Sequence, residues 1–238
     1  MSSDVVYVDD IFYNLSSFLV YQKEHKYEFG YIFWAIIPYF YEHKEIWRPV
    51  DFLDEDKTIA RCFKISSVGE DAYKRKAPLK KPKLESTEEF PVIKAKKRPC
   101  LFFKYYDSFK IDQHICLVFP LYSIYNDMGK LKSKFDQDFI DKVRMLKYNN
   151  LFFVKTDGKG NLTDSIIRLD KVYSVYHTYL EYSGFMLHND IKEILIEQIL
   201  YSFFGYFHNK EESIYYLILK ENNLISNNEF YKYEDVRF

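Results

Sequence analysis

The chemistry of this chain is expected to centre on Arg98. It stands in Lys96-Lys97-Arg98-Pro99-Cys100-Leu101-Phe102-Phe103, where a basic cluster runs straight into an apolar, strand-like segment. A guanidinium stays charged at physiological pH and can grip two phosphate oxygens while charge develops on them. After a short gap, Ile115-Cys116-Leu117-Val118-Phe119-Pro120-Leu121-Tyr122-Ser123 ends on two hydroxyl side chains. One strand opening on Arg-Pro and a second closing on Pro-x-x-Ser can hold an anionic backbone at one rim of a sheet. Lys94, Lys96 and Lys97 would add attraction for phosphate. So would Lys74, Arg75, Lys76, Lys80, Lys81 and Lys83, a run broken by Pro78 and Pro82 that reads equally as a solvated loop or a phosphate-attracting arm. His114, His177 and His188 are the groups suited to moving a proton near neutral pH. His114 begins its strand at the end remote from Tyr122, whereas His177 follows an extended run and would reach a rim. Tyr105, Tyr106, Tyr122 and Tyr125 offer rings on which splayed RNA bases could stack.

The elements that must position these groups follow from pattern. Ile11, Phe12, Leu15, Phe18, Leu19 and Tyr21 recur at helical spacing over residues 10–23. Residues 31–38 are a continuous aromatic and β-branched run, expected as a buried strand because Pro38 stops the helical alternative. Residues 59–65 alternate like a strand. The two central strands are placed at 98–105 and 113–122, joined by a short connector at 107–110. Asp136 stands as a cap before Phe139, Ile140, Val143 and Leu146, with Phe135 ahead of it, and predicts a helix. Residues 151–155 read as a strand, 156–161 as a turn, and 165–170 and 171–176 as two further extended runs. Asp190-Ile191-Lys192-Glu193 reads as a capping box opening a helix to about Phe204, with Gly205 as its stop. The apolar run 213–220 fits a helix and a strand equally, and the polar tail 221–238 predicts no regular structure.

Composition narrows the classes. With 238 residues, 47% of them hydrophobic and 20% aromatic, the chain can bury the core of one large domain. A net charge of -1 excludes whole-molecule attraction to nucleic acid, so any such attraction must come from a local patch. Cys62, Cys100 and Cys116 are too widely spaced for a zinc motif and read as buried free thiols of a reducing compartment. No apolar stretch reaches membrane-spanning length and the N-terminus carries no secretory pattern, so a soluble, cytoplasmic protein without a membrane partner is expected.

Taken in order, four segments resemble the PemK/MazF family of toxin endoribonucleases. Gly30-Tyr31-Ile32-Phe33-Trp34 is similar to the family's opening Gly-acidic-Ile-apolar-Trp strand, and Lys97-Arg98-Pro99-Cys100-Leu101 to its Arg-Pro strand. Leu117 to Ser123 is similar to the strand ending Pro-Ile-Thr-Ser. Ser165 to Val175 resembles a segment reading Ser-Val-Val-Leu-Leu-Asp-Gln-Ile-Arg-Thr-Val. The helix from Asp190 takes the place of the family's last helix. Arg48-Pro49 is a second Arg-Pro, but Arg98 opens the better strand and stands at the expected distance from Ile115. The resemblance covers residues 30–205 with insertions near 41–96 and 129–149. It leaves 1–29 as an N-terminal helical extension and 206–238 as a C-terminal extension.

The resemblance implies an α+β fold with a mainly β core: an SH3-like bent β-barrel with packed helices, forming a homodimer. It implies cleavage of single-stranded RNA without a metal or other cofactor, by attack of the ribose 2′-hydroxyl on the adjacent phosphate. Arg98 would stabilise the developing charge and the residue at the Pro-Ile-Thr-Ser position would assist. Lys94, Lys96, Lys97, Tyr125 and His177 would contact the RNA, and an antitoxin would be the protein partner. The family threonine falls on Tyr122, with Ser123 next, and successive strand residues point to opposite faces, so only one of the two can join Arg98. A non-catalytic PemK-like module binding nucleic acid or protein is the alternative. An interaction protein with an aromatic docking surface is the third reading.

Overall fold

Side-chain alternation decides the architecture. The structure, a computed structural model, describes residues 5–38, 45–49, 60–64, 90–92, 95–106, 114–207 and 209–225, and only the backbone of 45–49, 60–64 and 90–92. Its strands are β1 (Leu19–Tyr21), β2 (Tyr31–Pro38), β3 (Glu45–Pro49), β4 (Ala60–Lys64), β5 (Phe90–Val92), β6 (Ala95–Tyr106), β7 (Ile115–Ser123), β8 (Leu151–Val154), β9 (Ser165–Arg168), β10 (Tyr173–Tyr176) and β11 (Glu181–Leu187). The helices are α1 (Val8–Ile11), α2 (Gln137–Arg144), α3 (Asn189–Phe204) and α4 (Ile214–Glu221). The chain divides into two units, residues 1–35 with 97–238, and residues 36–96.

The larger unit is α+β, built on a mainly antiparallel, open sheet of eight strands in the order β1-β11-β2-β6-β7-β9-β8, with β10 paired to β7 beside that path. β8 and β9 are buried on both faces, so successive residues enter different cores. Phe152 and Ile167 pack with Leu101, Phe119, Leu121 and the helix residues Ile191, Leu195, Tyr215 and Ile218. Their neighbours Phe153 and Ile166 pack with Phe135, Ile140 and Val143 around α2. A third cluster, Tyr31, Phe33, Phe102 and Cys116, occupies the β2–β6–β7 part of the sheet. The smaller unit holds an antiparallel three-stranded sheet, β4-β3-β5, in which Ile46 pairs with Phe63 on one side and Pro91 on the other. Arg48-Pro49 lies in β3.

Several expectations hold at residue level. Asp136 caps α2, its carboxylate accepting the Phe139 N–H at 2.7 Å, and Phe135 stacks on Phe139 with ring centres 5.6 Å apart. Gly205 closes α3 in the left-handed conformation that a Cβ disfavours. The ambiguous run after Ser213 is helix α4, with the Ser213 hydroxyl accepting the Tyr216 N–H. Residues 107–110, 74–83 and the tail beyond 225 lie outside the described residues.

Two expectations are corrected. Residues 10–23 do not form one helix: α1 ends at Ile11, and Leu19–Tyr21 pairs with β11 as β1. The Ser17 hydroxyl accepts the Leu19 N–H at 3.0 Å, a local bond that competes with helix. The Phe18 N–H meanwhile donates to the Lys155 carbonyl at 2.9 Å. The capping box at Asp190 is absent as well. The cap of α3 is His188, whose side chain makes no capping bond, because the His188 N–H is held by the Phe18 carbonyl at 2.9 Å and the chain turns there.

Cys100 and Cys116 are free and fully buried. Burial pushes the Cys116 thiol up to about 11 and drives Cys100 higher still, against the opposing pull of Arg98. Both thiols are expected to resist a water-soluble alkylating reagent at pH 8 in the folded protein and to react in urea, as peptide mapping will read. Asp164 gives a second prediction. It accepts the Thr156 N–H at 2.7 Å, yet burial outweighs this and raises its pKa. An acid whose folded pKa is raised contributes stability in acid that is lost as pH climbs above its ordinary value of about 3.9. Asp164→Asn should therefore match the wild type at low pH and be slightly more stable at pH 7, by well under the ~1 kcal/mol of a typical substitution; urea melts at both pH values check this.

Candidate anion-binding site

Strand register brings Arg98 and Tyr122 together. Cys100 lies opposite Pro120, and Phe102 opposite Val118, so up to the register shift after Phe102 the even-numbered residues of β6 and β7 share one face. Arg98 and Tyr122 extend that face to the end of both strands, and the Arg98 guanidinium carbon stands 4.8 Å from the centre of the Tyr122 ring. This is cation–π geometry. β7 then changes partner along its length. Residues 115–118 pair with β10 and residues 121–123 with β9. Pro120, which has no N–H to give to a ladder, sits at the changeover.

The bend between β9 and β10 delivers two more groups to the same face. Tyr122 lies opposite Ile166 and Val118 opposite Tyr173, so Arg168 and Tyr173 point the same way as Tyr122. Arg168 is only 8% exposed, in a strand otherwise apolar and serine. It is held in a two-point ion pair by Asp170, with Nε donating to Oδ1 at 2.9 Å and the second bond from Nη2 to Oδ2. The Tyr122 hydroxyl shares a hydrogen bond with Tyr173. Burial first, and then Tyr173, raise the Tyr122 phenol, while Arg98 and Arg168 pull it down. Tyr122 therefore stays protonated and is a hydrogen-bond donor rather than a base. The arrangement can receive an anion: two guanidiniums and a phenol converge, and Asp170 fixes one of the guanidiniums in direction.

The remaining sequence candidates part company. Ser123 faces the other way. Its hydroxyl donates to the Tyr125 carbonyl at 2.7 Å and lies 2.8 Å from Thr163 Oγ1, while Lys132 donates to its carbonyl at 2.7 Å. Ser123 is thus built into a turn, and Tyr125 packs against the α2 core. Lys97 is exposed and paired with Glu181. Lys96 is exposed in the smaller unit, and Lys94 lies outside the described residues. His177 is opposite His114 at the far end of β7, about 26 Å from Tyr122 at 3.3 Å per residue. Sequence reasoning missed Arg168 and Tyr173. The available signal was a single arginine in an apolar strand, in alternation with Ile166 and followed two residues later by an acid.

No family model, curated protein or solved structure matches the chain.

Proposed function

We propose that the chain is a PemK/MazF-like toxin endoribonuclease that binds single-stranded RNA at the Arg98–Tyr122–Arg168 corner and cleaves it without a metal. What carries the reading is the convergence of Arg98 and Arg168 on Tyr122, since a buried, acid-oriented arginine beside a second arginine is suited to a phosphate diester. In this reading the ribose 2′-hydroxyl attacks the adjacent phosphate, giving a 2′,3′-cyclic phosphate and a 5′-hydroxyl. Arg98 and Arg168 stabilise the charge on the phosphate oxygens, and the Tyr122 phenol donates to one of them. The change of partner along β7 supports an SH3-like bent barrel left open. A homodimer, a cytoplasmic location and an antitoxin partner complete the proposal.

A specific observation favours a second reading. Ser123 is turned away, its hydroxyl held by the Tyr125 carbonyl and Thr163, so the corner would bind RNA as a non-catalytic module. One experiment separates them. Purified protein is incubated with mixed-sequence single-stranded RNA in a chelator, and the ends are mapped. Cyclic-phosphate ends are expected. Intact RNA bound with a steep salt dependence would select the module, and absence of both cleavage and binding would defeat both readings.

A further inference from the structure

We propose that His114 and His177 form a two-imidazole chelate for a borderline divalent transition metal, best Cu2+, that clasps β7 to β10 at the end remote from Arg98. The argument begins with register. Ile115 lies opposite Tyr176, and one step further the His177 N–H donates to the His114 carbonyl at 3.1 Å. The two histidines are therefore direct cross-strand neighbours with side chains on one face. Their ring centres are 5.3 Å apart and the planes meet at 66°. A metal bound 2.0–2.1 Å from one nitrogen of each ring lies about 3.2 Å from each ring centre, so an angle between about 90° and 110° at the metal puts the centres about 4.5–5.2 Å apart. The two ring centres stand at the wide end of that range.

Two further observations point the same way. Nδ1 of His177 is buried and has no hydrogen-bond partner. A buried polar atom in that state calls for a ligand, an ion or a water. Neighbouring rings also restrain both imidazoles: Tyr105 stacks on His114 at 5.1 Å, and Tyr27 meets His177 edge-on at 6.2 Å. Among the described residues no cluster of three or more histidine, cysteine or acidic side chains could hold a metal, so the proposed site is a two-imidazole one. Imidazole ligands without thiolates suit copper, nickel and zinc, and the affinity order of divalent ions puts Cu2+ first. The site is independent of the RNA reading.

The test adds substoichiometric Cu2+ alone to the full-length wild-type protein and follows the six imidazoles by NMR, with EPR on the same sample. His114 and His177 should broaden first, and the EPR spectrum should carry the splitting of two imidazole nitrogens. His177→Phe keeps a ring in the cluster without its nitrogens. It should lose the two-nitrogen signature and weaken binding by about tenfold or more, a loss typical of a damaged coordination shell. His177→Gln serves as the second variant. Broadening that begins at another histidine, a single-nitrogen spectrum, or affinity unchanged in His177→Phe would overturn the proposal.

Discussion

Arg98→Ala is expected to slow RNA cleavage about 100- to 1,000-fold, the loss that follows removal of one preorganised donor to a developing oxyanion. The magnitude rests on position. Arg98 lies over the Tyr122 ring, and the second guanidinium, Arg168, is already committed to Asp170. Arg168 cannot swing to replace it without breaking that pair. Arg98→Lys keeps the charge but loses the planar fork and should fall between wild type and alanine. Tyr122→Phe keeps the ring beneath the guanidinium and removes only the hydroxyl. Because burial and Tyr173 hold that phenol protonated, the variant should lose a donor without shifting the pH profile of the rate near neutrality. Single-turnover cleavage with melting temperature as control reads all three. A rate in Arg98→Ala equal to wild type would remove Arg98 from the chemistry. If the wild type binds without cutting, the same substitution should weaken binding across all sequences and lower the salt slope by about one.

The parts of the fold readable from sequence are those whose local and tertiary demands agree. Residues 31–38 are apolar, β-branched and closed by proline, and they form β2 as expected. Phe135 and Asp136 set the start of α2 because the cap and the ring pair are contained within five residues. The reading failed where long-range pairing overrode local pattern. Leu15, Phe18 and Leu19 are spaced like a helix, but Phe18 and Leu19 are placed by the Lys155 carbonyl and by β11, which no local window contains. β11 drew no expectation because its register shifts between Tyr182 and Phe185, where Gly184 has a positive φ of 88°, and this breaks the alternation that marks a strand. The site divides the same way. Arg98 with Tyr122 was accessible through alternation along two strands, whereas Arg168 joins them only through the bend between β9 and β10.

Gln198→Leu is expected to destabilise the protein by about 1–2 kcal/mol, because it leaves the buried Leu151 carbonyl without its side-chain donor. Gln198 on α3 is fully buried, and its amide nitrogen donates to the Tyr148 carbonyl at 3.0 Å and the Leu151 carbonyl at 2.9 Å. Leu151 is the register partner of Arg168, so this amide ties the helical layer to the strand pair that presents the buried guanidinium. The side-chain shape of leucine fills the space, which isolates the polar contribution from a cavity. Gln198→Glu tests the same contact by its sign with pH. A buried carboxylate facing two carbonyls is repelled, so the introduced acid has a folded pKa above its unfolded value of about 4.3. Its neutral form can donate one hydrogen bond, so stability relative to wild type is greatest in acid and is lost as pH rises through the folded pKa. Urea melts at pH 5 and pH 7.5 should therefore show a larger deficit at pH 7.5 for Gln198→Glu and a constant one for Gln198→Leu. Equal deficits for the glutamate variant, or a leucine variant within 0.5 kcal/mol of wild type on the scale of an ordinary surface change, would show that the amide does not anchor β8 to α3.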